Sequence, residues 1–142
     1  MNAGNPDALI ERARSAALEA RVASYSPYSD FPMGAAVVAQ DGTTIRGVLV
    51  ENVSLGLAMC SERVAMFTAV TASVVPAILA VASMRTDDAL TFPCGACLQV
   101  GLEIAGPDLI VVAVDLDGAH EVTTLQELLP RAPHRFTASD RL

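Results

Sequence analysis

Apolar residues recur at helical spacing in the first part of the chain, where Leu9, Ala13, Ala16, Ala17 and Ala20 are interleaved with Asp7, Glu11, Arg12, Arg14, Glu19 and Arg21. That pattern predicts an amphipathic helix over residues 6–24. It stops before Tyr25-Ser26-Pro27-Tyr28-Ser29, because the residue preceding a proline is pushed out of helical geometry and serine favours turns. Residues 33–40 and 44–50 are rich in Val, Ala and Ile, and the Asp41-Gly42 pair between them signals a hairpin of two antiparallel strands. Over residues 60–71 the apolar positions Val64, Ala65, Phe67, Ala69 and Val70 cover much of the circumference, which suits a helix buried inside a domain. Pro76 punctuates. Residues 78–83 and 109–114 then read as buried strands flanking a helix at 95–104, which makes a β-α-β unit. Asp117-Gly118 marks another turn, and a short helix at 125–129 is stopped by Pro130.

Helix, hairpin, helix, strand, helix and strand, in that order, predict an α/β fold: a three-layer α/β/α sandwich around a mixed sheet. With no internal repeats, linkers or low-complexity tracts, residues 1–142 are expected to form a single domain.

Composition narrows the possible partners. The chain is 52% hydrophobic and only 18% charged, which excludes disorder, and its aromatic content of 4% leaves Ala, Val and Leu to build the core. Sixteen acidic residues against nine arginines and no lysine give a net charge of -7. The arginines are scattered, so no basic patch exists to attract a phosphate backbone, and nucleic acid is not the expected partner. The apolar run at 74–84 is shorter than the roughly 20 residues a bilayer span needs. Residues 1–10 lack a basic segment followed by an apolar one, the form of a secretion signal. The expectation is a cytoplasmic protein with no membrane contact.

In a reducing compartment three cysteines, two of them in Cys94-Gly95-Ala96-Cys97, point to metal binding or redox chemistry before a disulfide framework. Phe92-Pro93 precedes the pair and a helix follows it, so both sulfurs can sit at a helix N-terminus, where the dipole and free N–H groups favour thiolates. By itself the pair fits half of a soft-metal site or a thioredoxin-like redox centre. Cys60 bears on the choice, because it too stands at a predicted helix start; its alternative is a small buried hydrophobe. Three thiolates plus water would satisfy the tetrahedral preference of zinc and keep one position open, the catalytic pattern. His120 and His134 stand outside any ligand spacing with the cysteines. Glu62, two residues after Cys60, leaves the same helical turn and is positioned to move protons without being a ligand. It could otherwise be an exposed first-turn glutamate complementing the helix dipole. Arg63 would offset the charge of the sulfurs, or else form a surface ion pair.

Four segments, taken in order, resemble the successive motifs of the small zinc-dependent cytidine deaminases. They are Ser26-Pro27-Tyr28-Ser29-Asp30-Phe31-Pro32-Met33-Gly34-Ala35-Ala36, Val50-Glu51-Asn52-Val53-Ser54, Cys60-Ser61-Glu62-Arg63 and Pro93-Cys94-Gly95-Ala96-Cys97. The resemblance implies one zinc per chain on Cys60, Cys94 and Cys97, with Glu62 shuttling protons in the hydrolytic deamination of cytidine and deoxycytidine. It also implies that Phe31 packs against the pyrimidine, that Glu51 binds the ribose, and that the backbone amides near Cys60 and Ser61 address the ring carbonyl. The tail, Leu128-Leu129-Pro130-Arg131-Ala132 with Phe136 and Asp140, resembles the family's. There an aromatic residue, here Phe136, enters a neighbouring subunit's site in a homotetramer with shared active sites. Pro133-His134-Arg135 is an insertion relative to that pattern.

Three further positions depart from the family. Leu49 stands where an asparagine would help bind the sugar, Ser61 replaces the usual alanine between cysteine and glutamate, and Leu55 replaces a tyrosine. A site built to pair a hydroxyl rejects analogues lacking it, so Leu49 opens a second reading, deamination of a modified cytosine nucleoside of the blasticidin type. From another class, a zinc-stabilised binding protein without catalysis is disfavoured by the retained Glu62 and the missing fourth protein ligand.

Overall fold

The computed structural model describes residues 5–133. Helix α1 (Pro6–Arg21) begins at an N-cap Asn5 whose side chain accepts the Asp7 amide, with Pro6 at the first helical position. It buries Leu9, Ala13, Ala16, Ala17 and Ala20, the stripe read from the periodicity. The helix stops three residues short of the predicted end. Ser24 Oγ bonds the Leu49 carbonyl, and Tyr25 pairs in extended form with Val50.

Five strands form one mixed sheet: β1 (Gly34–Val38), β2 (Thr44–Val48), β3 (Ile78–Ala82), β4 (Ile110–Val114) and β5 (His120–Thr124), in the order β2-β1-β3-β4-β5. β1 is antiparallel to both β2 and β3, β3 runs parallel to β4, and β5 returns antiparallel to β4. The hairpin between β1 and β2 turns at Asp41-Gly42, with Gly42 at φ 88 and Asp41 Oδ1 accepting the Thr43 amide.

Alternate side chains of the central strands serve two cores. Ala36, Val38, Ile78, Ala80, Ala82, Val112 and Val114 face α1. Ala35, Val37, Leu79 and Val111 face α2 (Ser61–Thr71) and α3 (Gly95–Ile104) on the other side. These are the three layers the order of elements predicts, and burial on both faces explains the unbroken apolar runs of β1 and β3. A short helix α4 (Leu125–Leu128) closes the described region behind a capping box of Thr124 and Glu127. Among the described residues no helix is long and apolar enough to cross a membrane.

Two expectations are corrected. Strand β5 is absent from the hydropathy pattern because it is a polar edge strand, His-Glu-Val-Thr-Thr, whose one apolar side chain, Val122, is 45% exposed. Helix α2 is not enclosed. It buries Ser61, Glu62, Ala65, Met66 and Ala69 and leaves Phe67 and Val70 in solvent, since the sheet covers only one of its sides.

Gly47 sets how closely α2 approaches the sheet. A Cβ at this position would collide with the Ser61 carbonyl oxygen and the Ala65 amide nitrogen. The backbone of β2 therefore lies directly against the first turns of α2. Gly47→Ala must push strand and helix apart, and overpacking of this kind typically costs about 1–3 kcal/mol. The expected result is a fall of several degrees in the thermal unfolding midpoint followed by circular dichroism. An unchanged midpoint would contradict the close approach.

Candidate metal centre

Cys60 is the N-cap of α2 and Cys94 the N-cap of α3, each in extended conformation with ψ 147 and 167. Neither helix has a side-chain cap, so both N-termini keep free N–H groups and a positive dipole end beside a sulfur. Cys97 lies one turn into α3 and is fully buried, whereas Cys60 is half-buried and Cys94 exposed. The three Sγ atoms lie within 4.8 Å of one another, and Cys94 and Cys97 are 3.5 Å apart. Three soft donors converging from two helix starts, one of them open to solvent, fit zinc and leave a coordination position for a small ligand.

Arg63 donates from Nη2 to Cys60 Sγ at 3.5 Å. Its Nε is buried without a hydrogen-bond partner among the described residues. The guanidinium thus serves the sulfurs and not a surface ion pair. The sulfurs share protons unequally. A hydrogen bond from Cys97, and after it the hydrogen bond and the positive charge of Arg63, draw the Cys60 thiol down to about 5 against the opposing effect of burial. The same bond to Cys60, together with burial, pushes the Cys97 thiol up.

Glu62 is 2% exposed, which excludes the solvated first-turn role. Burial raises its carboxyl above the usual range; the nearby Cys60 adds to this, and its own backbone N–H, Ser61 and Arg63 oppose it. The Ser61 hydroxyl, fully buried, donates to Glu62 Oε2 at 2.8 Å. A buried carboxyl with a raised pKa, two residues from a metal-binding thiolate, has the properties of a general acid-base group.

Glu51 belongs to a second group, joined to the first through the backbone. Val50 exchanges hydrogen bonds of 3.0 and 2.9 Å with Met59, the residue before Cys60, and the Glu51 amide bonds the Tyr25 carbonyl. Glu51 Oε1 accepts the Tyr28 and Ser29 amides at 2.9 and 3.2 Å; the Ser29 side chain first, and then these amides, hold its carboxyl below the usual range against an opposing effect of desolvation. The loop it clamps carries Asp30 at φ 53 and then the partly buried Phe31, whose amide bonds Ser29 Oγ. No sequence signal announces the clamp on the loop or the Ser61 hydroxyl bond; the resemblance implies only substrate contacts for Glu51 and Ser61. Leu49 has its amide bonded to Met33 O and its carbonyl to Tyr25 N. Phe136 lies outside the described residues.

A cavity of about 560 Å³ opens at the opposite end of the sheet, bordered by Asp41, Ser73, Val74, Pro76 and Asp108. No cysteine or histidine lines it, so it is separate from the sulfur cluster.

A family model described as the cytidine and deoxycytidylate deaminase zinc-binding region matches residues 8–113. A cytidine deaminase of Halalkalibacterium halodurans is 41% identical over 124 residues, covering 87% of this chain and 91% of that protein. One from Mycobacterium tuberculosis is 36% identical over 127 residues, covering 89% and 91%. Among solved structures, cytidine deaminase from Burkholderia pseudomallei matches with a TM-score of 0.77 at 41% identity, over 90% of this chain and 98% of that one. The enzyme from Mycobacterium leprae gives a TM-score of 0.71 at 36% identity, over 86% and 98%.

The uneven sharing of protons makes a direct prediction for protein stripped of metal. An acid with a depressed pKa is ionised above that value, so alkylation of Cys60 by iodoacetamide should rise through a midpoint near pH 5, not the ~8.5 of a free thiol. Arg63→Gln should move the midpoint upward. Peptide mass spectrometry across a pH series measures both, and an ordinary midpoint at Cys60 would rule out this unequal sharing.

Proposed function

The chain belongs to the cytidine and deoxycytidylate deaminase family, and from that premise we propose that it hydrolyses cytidine and deoxycytidine to uridine and deoxyuridine with release of ammonia. The observation that carries this reading is the juxtaposition of the sulfur trio with a buried glutamate on one helical turn. Cys60, Cys94 and Cys97 would hold the zinc. When bound, zinc supplies Lewis acidity that makes water a competent nucleophile near neutral pH.

Glu62 takes one proton from the attacking water and passes it to the ring nitrogen, then takes the second from the hydroxyl group so formed and passes it to the amine, which leaves as ammonia. Its raised pKa suits a group that must both accept and donate near neutral pH. Arg63 offsets the negative charge by which three thiolates exceed a divalent ion. The backbone amides at the uncapped start of α2 supply donors for the ring carbonyl. The loop held by Glu51 presents Phe31 to the ring, and the part of Glu51 not engaged with that loop remains for the sugar.

Reduced thiols at the site support a cytoplasmic setting, and the reaction chemistry a role in pyrimidine salvage. Assembly is part of the same reading. Val53, Leu55 and Leu57, exposed by 79, 83 and 68%, lie on the segment leading to Cys60, and Phe67 and Val70 stand on the open side of α2. So much apolar surface around one site supports a homotetramer with shared active sites. Light scattering that finds a fully active monomer would contradict it.

Leu49 motivates the second reading. Its main-chain groups are already paired and its apolar side chain offers a sugar hydroxyl no partner, which favours a modified cytosine nucleoside as substrate. One experiment separates the readings: a panel of cytidine, deoxycytidine and modified cytosine nucleosides, followed by ultraviolet absorbance, with wild type and Glu62→Gln. The leading reading expects cytidine and deoxycytidine to be the best substrates. It also expects Glu62→Gln to keep its zinc and lose at least about 10²-fold in turnover. Preference for a modified nucleoside would transfer the assignment, and an active Glu62→Gln would remove Glu62 from the mechanism.

A further inference from the structure

The hydrogen bond between Ser61 and Glu62 is an unusual use of two neighbouring residues. Side chains at adjacent helical positions do not ordinarily face each other. A serine in the first turn of a helix would ordinarily turn to a nearby free backbone N–H. Here α2 has no side-chain cap, and the Ser61 hydroxyl bonds Glu62 Oε2 at 2.8 Å with both residues buried. Gly47 brings β2 against the Ser61 backbone, so the donor stands on a rigid support. The acceptor gains from such support, which the alanine usual at this position would not supply, because the terminal torsion of a glutamate is broad and nearly two-fold, and an unrestrained carboxyl group turns either oxygen toward its target.

We propose that the Ser61 hydroxyl is a positioning group for Glu62: by donating to Oε2 it fixes the plane of the carboxyl group and reserves the other oxygen for proton transfer. The inference rests on Glu62 acting as the proton shuttle and assigns Ser61 a side-chain role in that reaction. Ser61 does not touch the substrate through this hydroxyl; it acts through Glu62. Ser61 and Glu62 therefore behave as one unit, and the loss of the second member costs nothing once the first is gone.

The test compares Ser61→Ala, Glu62→Gln and the double variant with the zinc-loaded wild type. Ser61→Ala should keep one zinc per chain and its unfolding midpoint. Its kcat on cytidine should fall about 10-fold with KM within two-fold, as expected when orientation of a proton-transfer group is lost and substrate binding is not. In the Glu62→Gln background the same substitution should cost no further activity. A readout independent of turnover is the Glu62 carboxyl band in infrared difference spectra. Ser61→Ala should shift it, and no corresponding shift should appear when Glu62 is glutamine. An unchanged kcat in Ser61→Ala, an equal loss in both backgrounds, or an unshifted band overturns the inference. If Glu62→Gln is inactive while Ser61→Ala is fully active, the positioning role alone falls. If wild type deaminates no nucleoside of the panel, the parent assignment falls with it.

Discussion

Three thiol groups crowded within 4.8 Å are a charge problem before they are a metal site. Thiolates at that separation repel one another strongly in a partly buried setting, where screening is weak. The fold answers with fixed positive features on several sides: the N-terminus of α2 at Cys60, the N-terminus of α3 at Cys94, and the Arg63 guanidinium on Cys60 Sγ. A divalent cation completes the compensation, which couples metal binding to the stability of the surrounding structure. Without the metal, the proton retained at Cys97 performs part of the same service.

The sheet holds two helix starts at one point. β3 feeds α3 at its carboxyl end and runs parallel to β4, while α2 is seated on β2 by the close approach at Gly47. Because α1 occupies the opposite face with its own alanine-rich core, the chemical face is stiffened from behind without being covered. The segment from Val50 to Met59 then links the sulfur cluster to the loop of Tyr28, Ser29 and Phe31 through main-chain hydrogen bonds. A shift at Glu51 would therefore reach both the loop and the strand pairing that ends next to Cys60.

Much of this arrangement was legible in the sequence, for physical reasons that differ by element. The stripe of Leu9, Ala13, Ala16, Ala17 and Ala20 is a periodic signal and gives the buried face of α1 residue by residue, though not its end. Asp41-Gly42 announced its hairpin because few residue pairs tolerate that turn. Cys60, Cys94 and Cys97 were legible through their chemistry and their places at helix starts. What escaped notice depends on partners remote in sequence or on burial. β5 is held by pairing with β4, not by hydropathy, and Phe67 and Val70 stand outside the core although the spread of apolar positions around α2 predicts their burial. The bonds from the Tyr28 and Ser29 amides to Glu51 join residues more than twenty positions apart. No local pattern announces them. The Ser61 bond joins neighbours, yet it arises from the burial of both, which a lone sequence does not display.

The three cysteines form one zinc site with a position left open for a small ligand, and X-ray absorption at the zinc edge reads both the metal and its shell. Protein purified without added metal should hold one zinc per chain, bound by three sulfurs at about 2.3 Å and one lighter oxygen or nitrogen neighbour. Each of the substitutions Cys60→Ala, Cys94→Ala and Cys97→Ala should abolish that signal. A shell of four sulfurs, or a zinc-free protein with Cys94 and Cys97 joined as a disulfide, would contradict it.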